Sequence, residues 1–173
     1  QEVFIGMERI RFVTDSAADI PRQWQEQLHI EVLPFTIAME NTEYQDGVDF
    51  GAQEFYETLQ SLPYIPTHSQ LNPMAFTQCY ECYERAYQEG YGSLIYTAIN
   101  AKGSSTYQNA VLARSQFYQE HPVAEKQFAI FVLDSGTYTM AYGYGVVLGA
   151  RLAQEGKAAE ECVQAIQNWI AHA

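Results

Sequence analysis

Apolar positions along the chain alternate between two periods. Short runs rich in Val, Ile, Leu, Phe and Tyr have strand length, and longer stretches between them repeat their apolar residues at helical spacing. Residues 9–13 read as a first strand. A polar turn follows, with Asp19 as N-cap and Pro21 at the first helical position of a helix reaching about Leu28. Residues 30–38 read as a second strand, with Pro34 marking an edge position or a bend. Residues 40–47 read as a hairpin or turn-rich excursion, tightest at Asp46-Gly47. A helix is expected over 51–62, with Phe55, Leu59 and Leu62 on one face, then a loop over 63–72.

The second half continues the alternation. Pro73 opens a helix that runs to about Glu89 and is stopped by Gly90. Residues 94–99 form an apolar run of strand length. After a polar turn, Tyr107, Ala110, Val111, Arg114, Phe117 and Tyr118 recur at helical spacing. Residues 127–133 read as a buried strand. Residues 137–155 read as a helix apolar almost all round, hence buried, whose Gly143, Gly145 and Gly149 allow close backbone approach. Gly156 ends it, and 158–172 form a last helix. Strands alternating with helices predict an α/β domain, layered αβα, with a mostly parallel sheet.

In such sheets the ligand lies beyond the carboxyl ends of the strands. Polar turns fall there at Asp15-Ser16, Ser104 to Thr106 and Asp134-Ser135, and the loop carrying Thr67, His68, Ser69 and Gln70 could join them. A hydroxyl-rich pocket follows. The turn at Ser104, Ser105 and Thr106 opens a helix. Its unpaired N–H groups and the helix dipole favour an anion, although Ser104 could equally be a simple cap.

Composition changes the picture in a few places. A chain of 173 residues suggests one domain, and 47% hydrophobic content makes it globular. The net charge of −12, with no basic cluster, disfavours nucleic acid and anionic membrane surfaces as partners. Any anion must be held by local hydrogen bonds against the overall field. The 3 cysteines form no disulfide framework, no secretory signal is visible, and the longest apolar run is far short of the ~20 residues of a membrane span, so cytoplasmic location is expected. Residues 1–6 precede a natural-looking start at Met7 and read as an expression-derived remnant.

Other chemistry is weakly signalled. A hydrolase built from Ser69 or Ser104 with His68 and Asp15 or Asp134 is the enzymatic alternative, but no Gly-x-Ser-x-Gly elbow is present. Asp15 and Asp134 read first as turn-tying residues that bind backbone N–H groups. Cys79 and Cys82 form a C-x-x-C pair inside a helix, where they read as core residues, and the neighbouring Tyr80, Tyr83 and Tyr87 as packing. Neither a nucleotide fingerprint nor a metal-ligand spacing is found, so no cofactor, metal or catalytic residue is expected. A third reading is an interaction module with a partner-binding face.

Several motifs together resemble one family. The run Asp15-Ser16-Ala17-Ala18-Asp19-Ile20-Pro21 is similar to the D-S-T-A-D-L-P opening of DegV-family proteins. Tyr44 to Asp49 followed by Phe55-Tyr56 resembles its Y-x-D-G-x-D and F-Y segment. Pro66 to Gln70 resembles P-T-T-S-Q, Ser104 to Ala110 resembles S-G-T-Y-Q-S-A, and Val132 to Ser135 resembles V-x-D-S. The resemblance implies the amino-terminal domain, over residues 7–173, of a two-domain fatty-acid-binding protein whose second domain is absent here. It implies no enzymatic activity. A long-chain fatty acid would lie in an apolar tunnel and be presented to a fatty-acid kinase subunit for phosphorylation, feeding phospholipid synthesis. By position, Ser104, Thr106 and the Ser105 N–H would hold the carboxyl group, with Thr67, His68 and Ser69 at the same end. His68 stands where the family has a second threonine, Ser105 where it has glycine, and Asn100-Ala101 where it has two serines.

Overall fold

A computed structural model of the chain describes residues 9–34, 36–39, 42–45, 73–102 and 104–173. The helix expected over 51–62, the loop carrying Thr67, His68 and Ser69, and residues 1–6 lie outside these.

Four strands form one parallel sheet: β1 (Ile10–Asp15), β2 (Ile30–Leu33), β5 (Ser93–Ala98) and β6 (Ala129–Asp134), in the order β2-β1-β5-β6. Two more, β3 (Thr36–Met39) and β4 (Thr42–Gln45), pair antiparallel as a separate ribbon in which Met39 faces Thr42. The helices are α1 (Arg22–Gln27), α2 (Pro73–Gln88), α3 (Thr106–Glu120), α4 (Ala124–Gln127), α5 (Met140–Gln154) and α6 (Ala159–Ala171).

Successive strand residues point to opposite faces, so each buried strand feeds two cores. Val13, Leu94, Tyr96 and Val132 pack against Cys82, Tyr83, Ala113 and Phe117 of α2 and α3. Phe12, Ile95 and Leu133 pack against Val146, Val147 and Ile166 of α5 and α6. The result is the expected αβα layering. Residues 141–150 of α5 are nowhere exposed, as its all-round apolar sequence requires. Its glycines are contact points. A Cβ on Gly149 would come within 2.8 Å of the Ile166 side chain of α6.

Local chemistry moves several boundaries. The stretch 30–38 is two strands, because β2 stops at Leu33 before Pro34, which has no N–H to continue the ladder. Asp19 is not an N-cap. Asp15 instead caps a 3-10 turn, Ser16–Ala18, and Asp19 closes that turn in the left-handed region at φ 54°. Pro21 takes the N-cap position of α1, so the helix starts one residue later than expected, and the Pro21 carbonyl receives the N–H groups of Trp24 and Gln25. Gln127 belongs to α4, and β6 begins at Ala129. Helix α5 begins at Met140, not Thr137, because Ser135 and Thr137 form a turn of their own and Thr139 sits at φ 58°.

Candidate functional site at the carboxyl ends of the strands

The strand order reverses between β1 and β5. From β1 the chain first goes to one side, to β2, and later to the other, to β5 and β6. Such a switch point opens a crevice beyond the carboxyl ends of the two strands. Asp15 ends β1 there, and Ile99 follows β5.

Residues 99–102, which follow β5, are pinned one by one. The Ile99 N–H donates to Asp15 Oδ2 at 2.8 Å. The Asn100 N–H donates to the Thr137 carbonyl at 3.1 Å, and the Ala101 N–H to Asp134 Oδ1 at 3.0 Å. The Lys102 N–H donates to Asn100 Oδ1 at 3.0 Å. Asp134 Oδ1 also accepts the Gly136 N–H at 3.0 Å. Both aspartates therefore tie turns together through backbone N–H groups, as their position at strand ends suggested.

This frame delivers Ser104, Ser105 and Thr106 to the start of α3. Ser104 is buried, at 4% exposure. Its Oγ lies 2.8 Å from Thr106 Oγ1 and accepts the Thr106 N–H at 3.2 Å. Ser105, not Ser104, holds the N-cap position of α3, and its side chain makes no cap bond; Ser104 takes the Thr106 N–H from one residue further out, which uses only part of its hydroxyl's capacity. Two hydroxyls that share one hydrogen bond leave one O–H proton for another acceptor. The first backbone bond of α3 runs from the Asn109 N–H to the Ser105 carbonyl at 2.9 Å. The Gln108 N–H has no acceptor among the described residues. Hydroxyl and N–H donors at a helix start can together take a carboxylate.

Two contributors were not legible from spacing. Asn109, buried in α3, donates its side-chain amide to the Ser105 carbonyl at 3.0 Å and to Ser105 Oγ at 3.3 Å. It thereby draws the Ser105 hydroxyl, which stands where glycine was expected, back toward the helix. Tyr142 of α5 donates its hydroxyl to Asp15 Oδ1. Asp15 and Tyr142 are 127 positions apart, so only the folded chain brings them together.

Other candidates separate from this end. The partners of Ser104 Oγ among the described residues are Thr106 atoms, with no histidine or carboxylate. Thr67, His68 and Ser69 lie outside the described residues. Cys79 and Cys82 are buried in α2. Burial pushes the Cys79 thiol up to about 12 and the Cys82 thiol well above its ordinary value, the opposite of a reactive pair. Tyr80, Tyr83 and Tyr87 ring the side chain of Phe117. Among the described residues no group of His, Cys, Asp and Glu could hold a metal ion, and no helix is long and apolar enough to cross a membrane. A groove of about 380 Å³ lined by Arg9, Ile10, Leu28 and Tyr91 opens at the amino ends of the strands, on the opposite side from Ser104.

Comparison with known proteins agrees with this fold. The profile of a family described as "Uncharacterised protein, DegV family" matches residues 9–173. A DegV domain-containing protein of Caldanaerobacter subterraneus is 34% identical over 164 residues, covering 95% of this chain and 54% of that protein. A Thermus thermophilus structure described as fatty acid binding of a DegV family protein superposes with a TM-score of 0.71 at 26% identity, over 94% of this chain and 54% of that one. The Bacillus subtilis DegV structure, described as a fatty acid binding protein, shares the fold at a TM-score of 0.75 and 23% identity, over 93% of this chain and 53% of that one. The chain spans about half the length of the curated relatives it matches. With the family profile running from Arg9 to the last residue, the chain belongs to the DegV family.

Proposed function

We propose that the chain binds a long-chain fatty acid and holds its carboxyl group at Ser104, Ser105 and Thr106. The observation that carries this reading is the pairing of the buried Ser104 hydroxyl with the half-buried Thr106 hydroxyl at the start of α3, just after residues 99–102, which are pinned from both sides. The pair has a proton left to donate, and a charge-assisted bond to a carboxylate is about twice as strong as a neutral one. Local donors of this kind are what a chain of net charge −12 needs to retain an anion. The descriptions of the Thermus and Bacillus proteins as fatty acid binding point the same way. Burial of the acyl chain supplies the bulk of the affinity, at ~0.8 kcal/mol per methylene.

In this reading Thr67, His68 and Ser69 complete the head-group end. The chain acts as the first of two domains, and a second domain closes the tunnel. The bound acid is presented to a fatty-acid kinase subunit, which supplies the nucleotide and the chemistry, in a route toward phospholipid synthesis. The three cysteines, buried and outside any disulfide, suit a reducing cytoplasm.

Changing Ser104 to Ala tests the assignment. A hydrogen bond to a charged group contributes about 1.5–3 kcal/mol, so palmitate affinity is expected to fall roughly 10- to 100-fold. Fluorescence displacement titration reads this directly. Unchanged affinity in the Ser104→Ala chain would remove the head-group assignment. Ser104-dependent turnover of an acyl ester by the parent chain would favour the hydrolase alternative instead.

A further inference from the structure

Asp15 is 1% exposed, and a buried carboxylate persists only where donors surround it. Among the described residues its donors come from three places. The Ala17 N–H, 3.1 Å from Oδ1, belongs to the 3-10 turn; the Ile99 N–H, 2.8 Å from Oδ2, opens the loop to Ser104; the Tyr142 hydroxyl, on Oδ1, belongs to α5. Ile99 is the first of four successive pinned N–H groups, so the Asp15 contact sets the origin of the run 99–102 that precedes Ser104. Tyr142 is fully buried, and burial together with the Asp15 charge holds its hydroxyl far above its ordinary pKa, so it remains a donor. Helix α5 is seated on the same turn, because Gly143 lies against the Ala18 carbonyl.

We propose that Tyr142 and Asp15 form a positioning pair that fixes residues 99–102 from α5 and so sets the head-group geometry at Ser104 without touching the ligand. This rests on the head-group reading above. The pair acts through the chain Tyr142 hydroxyl, Asp15 carboxylate, Ile99 N–H, Ser104. It predicts a ligand effect confined to the carboxylate end.

The test compares palmitate with hexadecanol, which has the same chain length and no carboxylate. In the Tyr142→Phe chain the ring still fills its site, and only the donor is lost. Palmitate affinity is expected to fall about tenfold while hexadecanol affinity changes by less than about twofold. A role limited to general stability would weaken both ligands alike, and that result, or no change for either, overturns the pair. Asp15→Asn, which keeps the shape and removes one acceptor, should show the same acid-selective loss and serves if Tyr142→Phe folds poorly. Ser104→Ala run alongside separates the two ideas. If Ser104→Ala discriminates acid from alcohol and the pair variants do not, the positioning pair fails alone. If Ser104→Ala does not discriminate either, the head-group assignment fails.

Discussion

Replacing Gly143 by alanine is expected to destabilise the chain by about 2 kcal/mol or more, although alanine is the better helix former by ~1 kcal/mol. The reason is the neighbour. A Cβ at this position would stand 2.2 Å from the Ala18 carbonyl oxygen and 3.2 Å from its carbon. Both are backbone atoms of the 3-10 turn, which Asp15 caps, and neither can swing aside. The Met140 sulfur, 3.0 Å away, could move, but the carbonyl could not without shifting the turn or α5. Overpacking a well-filled interface costs typically ~1–3 kcal/mol, occasionally more, and a contact this short lies at the upper end. The clash therefore outweighs the gain in helix propensity. Urea denaturation followed by circular dichroism checks it. A Gly143→Ala chain as stable as the parent would mean that α5 is not seated on the turn.

Phe117→Ala is expected to cost about 3–5 kcal/mol, a large part of a typical domain's stability. Phe117 is fully buried between α2, α3 and the chain leading into β6. Its ring meets Tyr80 at 6.0 Å, Tyr87 at 5.9 Å and Phe128 at 6.0 Å, all tilted or edge-on, and stacks on His121 at 4.7 Å. The surrounding rings are themselves held. The Tyr83 hydroxyl donates to the Ala110 carbonyl at 2.8 Å, and the Tyr118 hydroxyl to the Phe128 carbonyl at 2.6 Å. Rings tethered in this way cannot collapse into the space left by a lost phenyl group, which is the condition for a large cavity penalty. Phe117→Leu fills most of the volume and should recover much of the loss. Thermal melts of the two variants against the parent give the comparison. A Phe117→Ala loss below about 1 kcal/mol would contradict this packing.

Much of this architecture is visible in local sequence. The Pro73 start of α2, the glycine stop at Gly90, the central strand and the close-approach glycines of α5 each follow from one residue's backbone chemistry or one helix's composition. Boundaries shift where a side chain found a better partner than local propensity suggests. Asp15 captures the cap of the 3-10 turn, so Asp19 is left to close it. The Ser135–Thr137 turn delays α5, because the Thr137 carbonyl is needed by Asn100. In the candidate site, the hydroxyls at 104 and 106 are legible because they sit where a strand turns into a helix. Asn109 and Tyr142 are not. Asn109 looks like any polar helix residue until its amide is seen on Ser105, and the Tyr142–Asp15 contact joins residues 127 positions apart.

The central claim is that a fatty-acid carboxylate is held at Ser104, Ser105 and Thr106. Titrating the isotope-labelled chain with palmitate carrying a labelled carboxyl carbon, followed by nuclear magnetic resonance, tests it most directly. The account predicts saturable shifts of the Ser104, Ser105, Thr106 and Gln108 amides, and cross-relaxation between these groups and the carboxyl end. Palmitate that binds with its carboxyl group elsewhere, such as the groove beside Arg9 and Tyr91, would contradict it.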